Sequence, residues 1–353
     1  SSLNQNISIN NNIVGGISCA STSTGGYAFN AIYLGSTIGG SSSTVSNNII
    51  GSATVANSIS LPNTAGVASY FRGIYAASGS GSFALLVDNN TIANVANNST
   101  YATAGGSYLF GFYGASGIHN VTNNTIFNLV NANNNSSNTN TTMCLVGINE
   151  ASSTAPAGLN GHVISTNKIY NLSNSNAAAA SNWIIGMAVA GASTSSKVLI
   201  DKNFVHSFST ASTSANVQVA ILTYTIPAFV TNNNVRLGID GTGASVTNPS
   251  SMYAIYKNGT LPSTIAYNSI YVGGSNVTGA SNTFCLWRNG LPASGGDNIR
   301  NNIMQNARTN GSGTGAHVCV LVGNSSATTA AIATSNLTLN NNLYFHNGAG
   351  GYI

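Results

Sequence analysis

The chain has 353 residues, of which 42% are hydrophobic and only 4% charged, where an ordinary soluble domain carries about 25% charged residues. Nine cations against five carboxylates leave a net charge of +4, with no basic run. That excludes the dense Lys/Arg footprint through which proteins grip nucleic acid. High apolar content with so little charge also excludes disorder, and the longest apolar stretch, 183–192, is far too short to span a bilayer.

In chain order one phrase recurs: an aliphatic residue, two spacers, Asn, one spacer, an aliphatic residue. It is centred on Asn48, Asn90, Asn124, Asn167, Asn203, Asn233 and Asn268, with looser copies at Asn11, Asn301 and Asn341. The mean spacing is about 37 residues, a period that marks a stacked repeat architecture. Ahead of the anchors lie strand-sized apolar runs at 31–33, 73–75, 111–113, 146–148, 184–189, 219–222, 254–256, 285–287 and 319–322. Gly, Ser, Thr, Ala and Asn fill the connections, as expected between strands. No stretch shows sustained helical periodicity, and no composition shift divides the chain, so residues 1–353 read as a single repeat domain. No signal peptide is visible, and the chain reads as a mature protein or as a segment of a longer one.

A recurrent Asn suits a coil bend, because Asn tolerates the left-handed backbone conformation and its amide both donates and accepts. With strands stacked about 4.8 Å apart, the anchors should bond into a ladder. The aliphatic residues three before and two after each anchor should then face inward. Val95, Leu129, Leu172 and Phe208, five after their anchors, should extend that interior. Asn94, Asn128 and Asn171 suggest a second, shorter ladder.

These residues resemble the repeats of right-handed parallel β-helix proteins of the pectate-lyase-like superfold, over essentially the whole chain. The resemblance implies an all-β, right-handed solenoid with three sheets, and the anchors set the expected size at about ten coils. The Asn/Ser/Thr/Gly-rich style is similar to repeat regions of large secreted bacterial surface and adhesin proteins. On that likeness the expectation is an extracellular, non-catalytic structural or adhesive module without a cofactor. Its partners would be polysaccharide, other cell-surface components or further repeats of the same chain. The alternative is a carbohydrate-binding or polysaccharide-degrading β-helix.

Residue chemistry bears on that choice. Glycosidic hydrolysis generally needs two carboxylates flanking one bond, and the chain offers Asp88, Glu150, Asp201, Asp240 and Asp297. Only Asp88 and Asp201 share a repeat phase, and three coils separate them by roughly 14 Å. His119 and His162 each precede an anchor by five residues; two imidazoles with no Cys or carboxylate in phase make an incomplete metal site, so the expectation is a stacked pair without a metal. Cys19, Cys144, Cys285 and Cys319 lack zinc spacing and read as small buried hydrophobes, with a bond between Cys285 and Cys319 as the alternative. Tyr33, Tyr75, Tyr113, Tyr256 and Trp287 hold equivalent places in their coils. Pointing outward they would form a broken platform for sugar rings; covered by loops they would be core.

Overall fold

A computed structural model describes residues 6–19, 26–35, 43–61, 68–77, 79, 83–99, 101, 106–154, 161–191, 197–290, 292, 295–323, 336–347 and 351–352. The chain winds into an all-β parallel solenoid. Each turn gives one strand to each of three sheets; a representative turn runs through Ile118–Thr122, Thr125–Asn131 and Leu145–Glu150. Among the described residues each sheet stacks ten strands in chain order, the second sheet carrying three short extra ones. The first and last described turns are short, their strands Ile13–Val14 and Gly351–Tyr352 having two residues each. About eight turns are therefore well formed, slightly fewer than the anchors suggest. No described helix is long and apolar enough to cross a membrane.

Burial of the repeated aliphatics drives this winding. Val87, Val121 and Ile164 align in the first sheet, and Ile92, Ile126 and Ile169 align in the second. All six are buried in one continuous core that also takes Val95, Leu129, Leu172 and Phe208. Each such side chain contributes about 1.5–3 kcal/mol on leaving water.

Between the first two sheets the anchors do form a ladder. Asn124 Oδ1 accepts from both the backbone N and Nδ2 of Asn90 at 2.9 Å. Its own Nδ2 donates to Asn167 Oδ1 at 3.0 Å and to Val87 O at 2.9 Å. The same pattern joins Asn48 to Asn90 and runs on through Asn203, Asn233 and Asn268.

Two expectations about the ladder need correction. The left-handed residue is not the anchor but the one before it: Asn47, Asn89, Asn123, Thr166, Lys202, Asn232 and Tyr267 have φ between 52° and 61°. Asn301 and Asn341, with φ of 56° and 53°, occupy this bend slot. The ladder there passes through Asn302 and Asn342, and at the other end through Asn12. The reason lies in which neighbour turns inward. Met304 is buried whereas Ile303 and Leu343 are about half exposed, so the spacing to the core selects the second Asn of each pair. The shorter ladder is present as expected, Asn171 Nδ2 donating to Asn128 Oδ1 and Asn128 Nδ2 to Asn94 Oδ1, both at 3.0 Å.

Third-sheet strands break strict alternation. In Tyr108–Gly114, Leu109 and Phe112 belong to the core, while Tyr108, Phe110 and Tyr113 pack into a second cluster on the outer side. Gly111 also faces inward, beside Phe112. A Cβ there would lie 2.5 Å from Gly147 O and 3.0 Å from Ile126 Cγ2. Two successive inward positions therefore require a small first residue. The register places Ala31, Gly73, Gly111, Gly147, Gly186, Ala220, Ala254, Cys285 and Cys319 in this column. Outward residues are consequently three apart, one before the pair and one after it.

Candidate functional site

That spacing puts two columns on the outer face of the third sheet. One runs Asn30, Arg72, Phe110, Val146, Ile185, Val219, Tyr253, Phe284, Val318; the other runs Tyr33, Tyr75, Tyr113, Asn149, Ala188, Leu222, Tyr256, Trp287, Leu321. All five sequence-predicted aromatics stand in the second column, pointing outward. Most are nonetheless covered: Tyr33 is 58% exposed, but Tyr113, Tyr256 and Trp287 are 7%, 6% and 8% exposed.

Smaller residues at Asn149, Ala188 and Leu222 split this column into two aromatic groups. In the first, Tyr33, Tyr75 and Tyr113 follow one another at 5.2 and 5.1 Å between ring centres. Arg72 fills the face of this group, its guanidinium 4.5 Å from the Tyr75 ring and hydrogen-bonded to the Tyr108 hydroxyl. An internal cation thus occupies the place a ligand would take.

The second group opens into a cleft. Tyr256 and Trp287 stack at 4.2 Å, and Trp287 Nε1 donates to Gly323 O at 2.8 Å. Opposite lies the connection between Asn131 and Cys144, held by its own asparagines. Asn135 Nδ2 donates to Ser107 O and Thr142 O at 2.6 and 2.8 Å. Tyr224 OH donates to Asn138 O at 3.0 Å, and Asn149 Nδ2 to Asn140 O at 2.6 Å. Between loop and sheet remains a cleft of about 520 Å³ lined by Asn138, Thr139, Asn140, Trp183, Ala190, Tyr224, Thr225, Tyr253, Tyr256, Asn258 and Trp287. None of these side chains carries a charge at neutral pH, and burial pushes the Tyr256 phenol up to about 12. Such a lining offers ring faces, amides and hydroxyls, the chemistry that suits a neutral polyol.

Sequence reasoning found Tyr256 and Trp287 but missed Trp183, Tyr224, Tyr253 and the Asn138–Asn140 edge. Strict alternation would put Tyr253 and Tyr256 on opposite faces; the double inward step brings them together. The available signal was the recurrence of Gly, Ala or Cys at one place in successive coils.

The five carboxylates are all engaged in bonds that hold the fold. Asp88 Oδ1 accepts from Thr122 Oγ1 and Asn123 Nδ2, at 2.6 and 2.7 Å. Asp201 repeats this with Thr231 and Asn232, each at 2.7 Å. Asp240 closes a turn onto Thr242 N and Ala244 N at 2.9 Å. Asp297 lies buried beside Lys257 and Arg288, and Glu150 lies buried beside His119 and His162.

Glu150 is the partner that sequence phase did not assign to the two histidines. Its Oε2 is 2.7 Å from His119 Nδ1 and 3.5 Å from His162 Nδ1, and its Oε1 accepts from Ser152 N at 3.0 Å. Gly114 makes the arrangement possible, since a Cβ there would sit 2.6 Å from His119 Nδ1 and 2.7 Å from Glu150 Oε2. The three donors lie within 4.8 Å of one another, one short of the four ligands of a structural zinc site. Burial raises the Glu150 carboxyl, but the two histidines and the Ser152 amide outweigh it and hold it below its ordinary value. Burial lowers His162, against the pull of Glu150. It also takes His317 down to about 4, helped by Arg308 and His346.

All three shifts act in one direction with pH. A histidine held low in the folded state is protonated first in the unfolded chain, so its stabilisation is complete above about pH 6.5 and shrinks below. Glu150 adds a loss once pH falls through its folded value. Urea unfolding is therefore expected to show lower stability at pH 5 than at pH 7, by roughly 2 kcal/mol from His317 alone. An equal or higher midpoint at pH 5 would contradict these assignments.

No protein-family model, curated protein or solved structure matches the chain.

Proposed function

We propose that this chain is a non-catalytic adhesive rod of the cell exterior that holds a neutral polysaccharide in the third-sheet cleft. The observation carrying this reading is an uncharged cleft in which Trp183, Tyr224, Tyr253, Tyr256 and Trp287 face the amides of Asn138, Asn140 and Asn258. Its volume falls in the range of ordinary ligand sites, and apolar walls with a few fixed polar groups are their usual makeup. Carboxylates already committed to Thr, Asn, His, Lys and Arg partners favour binding over glycosidic hydrolysis. Neutral contacts are individually weak, so adhesion would draw on many sites presented on one surface.

A panel of soluble neutral and acidic polysaccharides, followed for both binding and chain cleavage, tests the proposal. Expected is retention of a neutral glycan that weakens about tenfold in Trp183→Ala, without release of reducing ends. Absence of any glycan binding would end the carbohydrate reading. Product release that disappears on replacing one of the five carboxylates would end the non-catalytic one.

A further inference from the structure

Cys285 and Cys319 occupy successive places in the small-residue column of the third sheet, where the other coils carry glycine or alanine. Their flanking residues pair directly, Phe284 with Val318 and Leu286 with Val320. The two cysteines thus face each other across a single strand spacing of about 4.8 Å, inside the range of Cα separations that disulfides bridge. Both side chains turn into the core and both are buried free thiols. The thiols hydrogen-bond to each other, and Cys319 Sγ also donates to Phe345 O at 3.1 Å. Alanine fills the same place at Ala220 and Ala254, so packing alone does not call for sulfur there. The pair sits next to the last turn, whose strands Leu337–Asn340 and Leu343–His346 are largely half-buried or exposed.

We propose that Cys285 and Cys319 are a disulfide-forming pair that staples the C-terminal turns together when the protein meets an oxidised small-molecule or protein disulfide. The Cys319 thiolate attacks one sulfur of the carrier disulfide, breaking its S–S bond, forming a mixed disulfide and releasing one carrier thiolate. Cys285 then passes its proton to the carrier thiolate already released and attacks Cys319 Sγ, which breaks the mixed bond and releases the second carrier thiolate. Two protein thiols are oxidised and the carrier is reduced by two electrons. The order of attack follows from the environment: the bond from Cys285 holds Cys319 down to about 7, whereas burial drives Cys285 well up. Access comes by local opening of the strand Leu343–His346, which is half-buried or exposed and whose Phe345 O accepts from Cys319 Sγ.

Oxidised glutathione at pH 8, followed by denaturation and alkylation, reads the outcome by intact mass and peptide mapping. Expected are two of the four cysteines protected, a linked peptide pair containing Cys285 and Cys319, and a melting temperature raised by about 5 °C that reductant reverses. Cys285→Ala, whose new side chain already serves at Ala220 and Ala254, should fold, lose the protection and leave Cys319 as a glutathione adduct. Four alkylated thiols in the oxidised wild-type chain, a bond involving Cys19 or Cys144, or separate glutathione adducts on both residues would each overturn the proposal.

Discussion

Replacing Asp297 with asparagine is expected to lower the unfolding free energy by about 3–5 kcal/mol, the cost of stranding buried charge. Asp297 Oδ2 lies 2.6 Å from Arg288 Nε and 3.0 Å from Lys257 Nζ, with all three side chains at most 1% exposed. Its Oδ1 accepts from Ser263 N at 2.8 Å. Asparagine keeps the shape but leaves two cations facing each other in the core. Burial already holds Lys257 below the ordinary lysine value, with Asp297 opposing that trend. Replacing all three residues together with apolar ones of similar volume should recover most of the loss. Chemical denaturation reads both variants, and a loss under 1 kcal/mol for Asp297→Asn would mean that the cluster is open to water.

Asn167→Ala is expected to cost about 3–5 kcal/mol through orphaned buried groups, each worth roughly 1–3 kcal/mol. Asn167 Oδ1 accepts from Asn124 N and Nδ2 at 2.9 and 3.0 Å. Its Nδ2 donates to Val121 O at 2.9 Å and Asn203 Oδ1 at 3.0 Å. Alanine removes all four bonds at a residue 1% exposed and strands their partners in the interior. The neighbouring bend residue gives the contrast. Thr166 holds a φ of 55°, which suits Asn better, so Thr166→Asn should be neutral or stabilise by up to about 1 kcal/mol. Equal losses at both positions would show that the bend and the ladder are not separate devices.

The solenoid was legible because its cause is local and repeated. An aliphatic residue at a fixed distance on either side of Asn, about every 37 residues, states both the inward face and the coil length. Where two asparagines adjoin, as at Asn301 and Asn302, the repeat allows both registers. Burial of Met304 rather than Ile303 settled the choice, and that depends on how the final turns pack. Similarly, equivalent positions put Tyr113, Tyr256 and Trp287 in one column, but coil phase does not say what lies over a column. The loop after Asn131 decides that by folding across several turns to reach Tyr224.

Sequence alone therefore determined the elements whose partners lie one period away: the stacked coil, its apolar columns and most of its Asn ladder, while the division of each coil among three sheets is seen only in the structure. Tertiary structure decided the contacts that join different phases of the repeat. Glu150 reaches two histidines from the adjoining sheet, and Asp297 meets Lys257 and Arg288 at a corner between sheets. Tyr253 joins Tyr256 only because a small residue lets two successive side chains turn inward. Periodicity reports which residues stack, since stacking repeats with the coil. Contacts across a corner or beneath a loop follow from how the coil closes, and the spacing of like residues carries no record of that.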